Sequence, residues 1–391
     1  MSVRLMAPHG HALSATFHLT HNCNLRCVYC YTGDKLGAGM STETAGRAVD
    51  FALSEARRSK STLLEVVFFG GEPLLKRDLL VGIMDQVIAQ RGGLETSFKM
   101  STNGLLLDDE LLAELIRRRV FISVSIDGRP ETQDTQRIDA RGMGTSGRIE
   151  RIIPKLLEAN PCTNVTCVIT PSSACRLDES VEWLYDAGFR YISTALDHGA
   201  VWTESSLTDL DAAYRRLSRW YVGKMSAGRK LYLSCFDERI RSWTRGSPSA
   251  MERCLLGVRQ FSIAPSGSST RAFSSCGDDD PTFVLGDVFS GFDDRKREQL
   301  LSCVEAEKDE CAGCVLKPRC SSWCACVNWQ STGRIDRASP LVCAHERSLI
   351  PVADGIANEL WDKRNRRFID KFYDSAFPVL GFLEDMIVRD S

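Results

Sequence analysis

Short apolar segments rich in β-branched residues alternate with helical patterns over residues 15–196, and this alternation limits the fold more than any other feature. Six strand-then-helix units in succession predict a parallel sheet with right-handed crossovers. Six units fit a partial (β/α)6 barrel of the TIM type better than a closed eight-unit barrel. The predicted class is therefore α/β, with the chemistry at the C-terminal ends of the strands.

The predicted strands and helices divide the chain into four parts. Residues 1–205 form the predicted barrel, 206–246 a helical connector, 247–345 a cysteine-rich domain and 346–391 a C-terminal helix, whose pattern is helical over 350–375. The predicted strands are Ala15–Thr20, Leu64–Phe69, Thr96–Ser101, Val120–Ile126, Asn164–Thr170 and Tyr191–Leu196. The predicted helices between them are Thr42–Arg58, Lys76–Arg91, Asp108–Arg118, Gly147–Ala159 and Leu177–Ala187.

Composition excludes several classes of protein. A hydrophobic content of 43% and a charged content of 26% are ordinary for a globular protein, and a formal net charge of −2 argues against binding to nucleic acid or an anionic membrane. The N-terminal segment Met1–Ser14 lacks the apolar core of a signal peptide, and no apolar segment is long enough to span a membrane. Sixteen cysteines without a secretory signal indicate metal ligation in a reducing cytoplasm rather than disulfides.

Three cysteines follow the first predicted strand with the spacing C-x3-C-x2-C: Cys23, Cys27 and Cys30. Three thiolates can hold three irons of a cubane cluster and leave the fourth iron open to a ligand. A structural zinc or a closed electron carrier requires four protein ligands, so a set of three favours a site with a vacancy. A zinc knuckle is the alternative.

A glycine-rich turn follows the second predicted strand, with the sequence Gly70-Gly71-Glu72-Pro73. Two glycines allow a tight turn and a close approach of the backbone to a ligand, and proline suits the first position of a helix. Glu72 can accept hydrogen bonds from a ligand ammonium group. The alternative is an ordinary strand-to-helix turn.

Together, the triplet, the Tyr31 that follows it and the glycine-rich turn resemble the radical S-adenosylmethionine (SAM) superfamily. In that family the three cysteines bind a 4Fe–4S cluster whose open iron chelates SAM, and one electron cleaves SAM to a 5′-deoxyadenosyl radical that abstracts hydrogen from the substrate. The resemblance implies contacts with SAM from seven residues. Gly70, Gly71 and Glu72 meet the methionine ammonium, Tyr29 packs on adenine, Ser125 contacts ribose, Arg137 binds the carboxylate and Asn103 makes a polar contact. Asn103 and Asp127 also lie in ordinary turn sequences, Thr-Asn-Gly and Asp-Gly.

A second set of cysteines lies towards the C-terminus with the spacing C-x2-C-x5-C-x3-C. It resembles the SPASM domain, an extension of radical SAM enzymes with two auxiliary iron–sulfur clusters, which makes three 4Fe–4S clusters in all. A zinc ribbon is the alternative. The resemblance implies that Cys311, Cys314, Cys320 and Cys343 ligate the distal cluster, and that Cys254, Cys276 and Cys324 ligate the proximal one.

The chain departs from the family pattern at two places. No second cysteine follows Cys254 within a few residues, so the proximal cluster has an open site or recruits Cys326, Cys303 or a non-cysteine ligand. Sulfatase maturases carry an aspartate base directly after the cysteine that matches Cys276, whereas this chain has glycine there and then Asp278. Asp278 is the candidate base, and an exposed acidic loop is the alternative reading.

SPASM enzymes mostly modify peptides, so the predicted function is a maturase that forms a thioether or carbon–carbon cross-link in a ribosomally made peptide. The predicted partners are the precursor peptide and a one-electron reductant, flavodoxin or ferredoxin. The segment before Cys23 is short for a leader-binding domain, so leader recognition is expected from the barrel, the C-terminal helix or a separate leader-binding protein. The alternatives are a formylglycine maturase of the sulfatase type, a peptide epimerase, a small-molecule radical oxidase and a non-catalytic iron–sulfur carrier.

Overall fold

One sheet of eleven strands organises the molecule in the computed structural model, which describes residues 12–32, 39–246, 255–270 and 284–374. The strands are β1 Ala12–His18, β2 Leu63–Phe69, β3 Glu95–Thr102, β4 Phe121–Ser125, β5 Asn164–Ile169, β6 Tyr191–Leu196, β7 Tyr232–Leu233, β8 Gln260–Ile263, β9 Ser268–Thr270, β10 Val284–Asp287 and β11 Gly291–Phe292. Eight of them are parallel in the order β8-β1-β2-β3-β4-β5-β6-β7, and β9 to β11 continue antiparallel beyond β8. The predicted α/β class with a parallel sheet is confirmed.

The helices follow the predicted alternation, with differences that have local causes. They are α1 Thr42–Arg58, α2 Arg77–Gln90, α3 Asp109–Arg117, α4 Pro130–Gln136, α5 Ser146–Ile149, α6 Ile153–Ala159, α7 Leu177–Asp186, α8 Glu204–Ser226, α9 Ser234–Arg245, α10 Asp294–Glu305, α11 Ala325–Thr332, α12 Pro340–Asp362 and α13 Arg366–Tyr373. The helix predicted over Gly147–Ala159 is divided into α5 and α6, because Pro154 has no N–H to donate to the carbonyl of Glu150. The predicted connector contains β7, which pairs with β6 and extends the sheet.

The last long helix, α12, begins well before the predicted helical segment. Ser339 caps it, since its hydroxyl accepts a hydrogen bond from the N–H of Val342 at 3.2 Å, and Pro340 occupies the first turn, where no N–H is required. Cys343 therefore lies in the first turn of α12. The helix packs against α8 and α9, which fixes this cysteine relative to the barrel.

The two faces of the parallel sheet differ in polarity. Leu64, Val66 and Phe68 of β2 are fully buried on one face. The opposite face is half-buried and carries polar side chains on β4 to β6. There Asn164 donates to Ser123 at 2.8 Å and accepts from the hydroxyl of Ser193 at 2.9 Å. The sheet therefore offers a polar face below the strand ends.

The apolar core lies mainly in the barrel half of the molecule. A single cluster joins the strands β1 to β6 to the surrounding helices. In the described part of the cysteine-rich region, the apolar clusters are small, and the larger consists of Leu256, Leu285, Leu300 and Ala325. Such a region is expected to depend on metal ligation for part of its stability.

Candidate active site

The loop after β1 carries Cys23, Cys27 and Cys30, and it is held in place by the segment that follows α4. The N–H of Arg26 donates to the carbonyl of Ile138 at 2.7 Å, and the N–H of Val28 donates to that of Gln136 at 2.9 Å. These main-chain bonds fix the cluster loop, defined here as residues 19–32, at the C-terminal end of the sheet.

The Gly70–Gly71 turn approaches the cluster loop more closely than any side chain would allow. The N–H of Gly71 donates to the carbonyl of Thr20 at 2.8 Å, and the N–H of Glu72 donates to that of Asn22 at 2.9 Å. A Cβ atom on Gly71 would overlap the carbonyl oxygen of Asn22, and Gly70 has φ of +131°. Both glycines are therefore required by the packing of two backbones, and their contact with SAM stays a prediction.

Glu72 is buried, and three donors surround its carboxyl group. Oε1 accepts from the hydroxyl of Thr102 at 2.7 Å and from the N–H of Leu74 at 3.1 Å, while Oε2 accepts from the N–H of Asn103 at 2.8 Å. Burial raises the pKa of Glu72, although these hydrogen bonds oppose the shift. The side chain therefore joins the ends of β2 and β3, and its predicted contact with the methionine ammonium stays a prediction.

Each sulfur of the triplet has a polar neighbour. Cys23 Sγ lies 3.3 Å from the N–H of Leu25 and 3.9 Å from Asn103 Nδ2. Cys27 Sγ lies 3.8 Å from Arg137 Nη1, and Cys30 Sγ lies 3.1 Å from the hydroxyl of Thr32. Three thiolates are soft metal ligands, and N–H groups point at two of the three sulfurs. This arrangement fits a thiolate-ligated iron–sulfur cluster.

Sequence reasoning missed Asp127, whose carboxylate connects several of the predicted SAM contacts. It accepts from the hydroxyl of Tyr29 at 2.7 Å and from Gln136 Nε2 at 3.0 Å, and it pairs with Arg137 Nε at 3.2 Å. Burial alone would lower the pKa of Arg137, but the negative charge of Asp127 raises it above the usual value. The Asp127-Gly128 dipeptide after β4 is the sequence feature that could have indicated this role, but the same dipeptide also predicts an ordinary turn.

The predicted SAM contacts lie at neighbouring strand ends. The Arg137 guanidinium lies over the Tyr29 ring at 5.4 Å from its centroid, and Ser125 is the half-buried last residue of β4. Asn103, directly after β3, donates to the side-chain oxygen of Asn24 at 2.8 Å. The roles of Tyr29, Ser125, Arg137 and Asn103 towards SAM stay predictions.

The predicted distal ligands affect one another electrostatically. Burial raises the pKa of Cys320 to about 11, and the thiol of Cys343 adds to this shift. Burial also raises the pKa of Cys343, and the nearby thiols of Cys311 and Cys314 raise it further. Mutual effects of this kind require the four thiols to be near one another. Across the described ranges, no three His, Cys, Asp or Glu side chains lie close enough to hold a single metal ion.

Cys324 has a different neighbour. A hydrogen bond with Cys326 lowers its pKa to about 7. Three further predictions fall outside the described residues: the proximal ligands Cys254 and Cys276 and the candidate base Asp278.

A cleft of about 610 Å³ opens between the cluster loop and the ends of β5 and β6. One wall is residues 28–31 of the cluster loop, and the other is Val168 of β5 with residues 195–200 at the end of β6. Gln330 of α11, on the helix that directly follows Cys324, completes the lining. The cleft thus touches both cysteine-bearing regions.

Comparison with known proteins agrees with this geometry. Residues 17–199 match the family model for the Radical SAM superfamily. This chain contains a radical SAM domain. The cysteine-type anaerobic sulfatase-maturating enzyme of Clostridium perfringens is 25% identical over 179 residues, which are 44% of this chain and 47% of that protein. The mycofactocin maturase MftC of Mycobacterium ulcerans is 28% identical over 273 residues, 68% of this chain and 64% of that protein. The chain thus spans about half to two thirds of the length of these relatives.

Solved structures share the fold of this chain. The structure of anSMEcpe with bound AdoMet superposes with a TM-score of 0.75 at 19% identity, covering 89% of this chain and 100% of that one. Streptococcus suis SuiB bound to its precursor peptide SuiA gives a TM-score of 0.56 at 14% identity, covering 85% and 76%. None of the helices in the described part of the chain is long and apolar enough to cross a bilayer.

Proposed function

We propose that this chain is a radical SAM enzyme that forms a cross-link in a ribosomally made peptide. The observation that carries the proposal is the cleft, because Cys30 of the cluster loop and Gln330 of α11 line the same cavity. A peptide bound there lies between the first cysteine set and the cysteine-rich region. The precursor peptide present in the SuiB structure supports a peptide substrate.

Cys23, Cys27 and Cys30 would hold a 4Fe–4S cluster, which together with SAM would supply the radical that removes a hydrogen atom from the substrate. The protein contributes the surroundings of the thiolates. Asn103 and Arg137 direct N–H groups at two of the sulfurs, which disperses the negative charge of the thiolates. Glu72, Gly70 and Gly71 fix the cluster loop, which carries the three thiolates.

Closure of a cross-link also removes one proton and one electron from the substrate. We assign the electron to the auxiliary 4Fe–4S clusters, distal at Cys311, Cys314, Cys320 and Cys343, and proximal at Cys254, Cys276 and Cys324. An external flavodoxin or ferredoxin provides the electron that starts each turnover. A separate leader-binding protein is the further partner that this function implies.

Anaerobic incubation of the reconstituted protein with SAM and dithionite tests the proposal. We expect 5′-deoxyadenosine, and we expect a co-expressed precursor peptide to lose two hydrogens in mass, with fragmentation blocked between the linked residues. Cys27→Ala is the matched control and forms neither product. Absence of 5′-deoxyadenosine from protein with all its clusters contradicts the proposal and favours an electron carrier.

A formylglycine maturase is the second candidate, favoured by the similarity to the sulfatase-maturating enzyme over 179 residues. Oxidation of serine to formylglycine also removes two hydrogens, so mass alone does not separate the two reactions. An aldehyde reacts with a hydrazide probe, whereas a cross-link does not. A peptide mass that is unchanged in H2O but rises by one deuterium in D2O indicates epimerisation.

A further inference from the structure

Cross-link closure releases a proton beside the cleft, and the candidate base Asp278 lies outside the described residues. Five described side chains of its lining can exchange protons: Tyr29, Cys30, Tyr31, Asp197 and His198. Their surroundings decide which of them is able to accept a proton near neutral pH.

Four of these groups are committed elsewhere. Tyr29 donates its hydroxyl to Asp127, and Cys30 belongs to the cysteine triplet. The ring of Tyr31 stacks on that of Phe69 at 6.4 Å, and a phenol is already protonated at neutral pH. The carboxylate of Asp197 accepts the N–H groups of Gly199, at 3.0 Å, and of Ala200 within its own turn, and these bonds oppose the rise in its pKa that burial causes.

His198 differs from the other four. It lies two positions after β6, and its buried Nδ1 has no hydrogen-bond partner among the residues that the structure describes. Burial lowers the pKa of His198 to about 4, so the imidazole is neutral at pH 7 and has a lone pair to offer. His198 therefore lines the cleft as a neutral ring, and its buried Nδ1 makes no hydrogen bond to the described residues.

We propose that His198 is a catalytic residue that accepts the proton released when the substrate radical closes its new bond. The proposal rests on the peptide cross-linking function. The substrate carbon radical bonds to a second atom of the peptide, and the X–H bond of that atom breaks. The proton would go to His198 and from there to solvent, and the electron would go to an oxidised 4Fe–4S auxiliary cluster, so that atoms and electrons balance.

The test is the ratio of cross-linked peptide to 5′-deoxyadenosine in His198→Gln, whose amide does not accept a proton at neutral pH. We expect 5′-deoxyadenosine to form at the rate of the unchanged protein and the cross-link to fall about 100-fold, the order of a general base. The substrate radical is then reduced by an electron from dithionite and a deuteron from D2O, so unlinked peptide recovered from D2O carries one deuterium. Iron content equal to that of the unchanged protein shows that the variant is folded.

Two results overturn the assignment. The first is a His198→Gln variant with an unchanged coupling ratio; if Asp197→Asn then uncouples the reaction, Asp197 is the proton acceptor instead. The second is a tenfold loss of peptide affinity in the unreduced His198→Gln holoenzyme, measured by fluorescence anisotropy, because that indicates a binding role. If the unchanged protein makes 5′-deoxyadenosine but links no peptide, the cross-linking function itself fails, and this assignment fails with it.

Discussion

Arg239 of α9 and Glu346 of α12 form a buried two-point ion pair, with Nη2 2.7 Å from Oε1 and Nε 3.2 Å from Oε2. Burial alone would raise the pKa of Glu346, but the Arg239 guanidinium lowers it below the usual value. Glu346 lies one turn after Cys343, and its Oε1 also accepts the hydroxyl of Ser321 at 2.6 Å, directly after Cys320. The pair thus attaches two predicted ligands of the distal cluster to the barrel.

Arg239→Met is expected to destabilise the protein by about 3–5 kcal/mol, because it leaves the Glu346 carboxylate buried without its partner. We expect the iron content per chain to fall as well, since Ser321 and Cys320 lose their anchor. Urea unfolding and iron analysis measure both effects.

The matched control is Arg215→Met on α8, where the ion pair of Arg215 with Asp211 at 2.8 Å is largely exposed. We expect this variant to lose less than about 1 kcal/mol and to keep its iron. Equal losses in the two variants contradict an anchoring role for Arg239.

Gly71→Ala is expected to displace the cluster loop, because the added Cβ overlaps the carbonyl oxygen of Asn22, a main-chain atom. Reconstitution should then yield less iron at the triplet, with a weaker visible absorbance from the cluster. Gly82→Ala in α2 is the control, since the structure has nothing within 4 Å of its added Cβ. There we expect a gain of about 0.5–1 kcal/mol and full reconstitution. A Gly71→Ala protein with normal iron content shows that the loop adapts.

Glu72→Gln is expected to lower the free energy of unfolding by about 1–3 kcal/mol. An amide keeps one oxygen, so the three donors Thr102, Leu74 and Asn103 cannot all be satisfied. Thermal unfolding measures this loss, and equilibrium binding of SAM to the reconstituted variant measures the predicted contact with the methionine ammonium. An unchanged unfolding midpoint contradicts the role of Glu72 as a joint between β2 and β3.

The sequence predicted the order of the elements better than the contacts between them. The helix over Thr42–Arg58 was predicted with its observed bounds, because Ser41 caps it, accepting the Thr44 N–H at 3.0 Å, and two arginines end it. β7 was missed because so short a strand has no periodicity to detect. β8 was missed because its partner, β1, lies near the other end of the chain, and no local pattern reports so distant a pairing.

In the active site, too, the sequence predicted groups of neighbouring residues better than contacts between distant ones. Local spacing identified the cysteine triplet and the glycine-rich turn, since their members are neighbours in sequence. Asp127 joins residues from different strand ends, and His198 is identified by its position in the cleft; no spacing along the chain encodes either relationship. The rule that chemistry lies at the C-terminal ends of parallel strands would have selected both residues, since each follows a strand by two positions.

His18 at the end of β1 is expected to make stability depend on pH. The side chain is fully buried, and both ring nitrogens lack a hydrogen-bond partner within the described residues. Burial, with a smaller effect of His21, lowers the pKa of His18 from 6.5 to about 3. Because the folded-state pKa lies below the unfolded value, this stability is complete above pH 6.5 and is lost as the pH falls towards 3.

Between pH 7.5 and 5.5 this single residue is expected to reduce the free energy of unfolding by about 1.4 kcal/mol. His18→Phe removes the titrating group and retains a ring beside Phe69, whose centroid lies 5.6 Å away. Urea unfolding of both proteins at the two pH values isolates the effect of His18 together with its interaction with His21, because His198 and His345 titrate equally in each. We expect the loss of stability in the variant to be smaller by the amount that His18 contributes, and equal losses in the two proteins contradict the depressed pKa of His18.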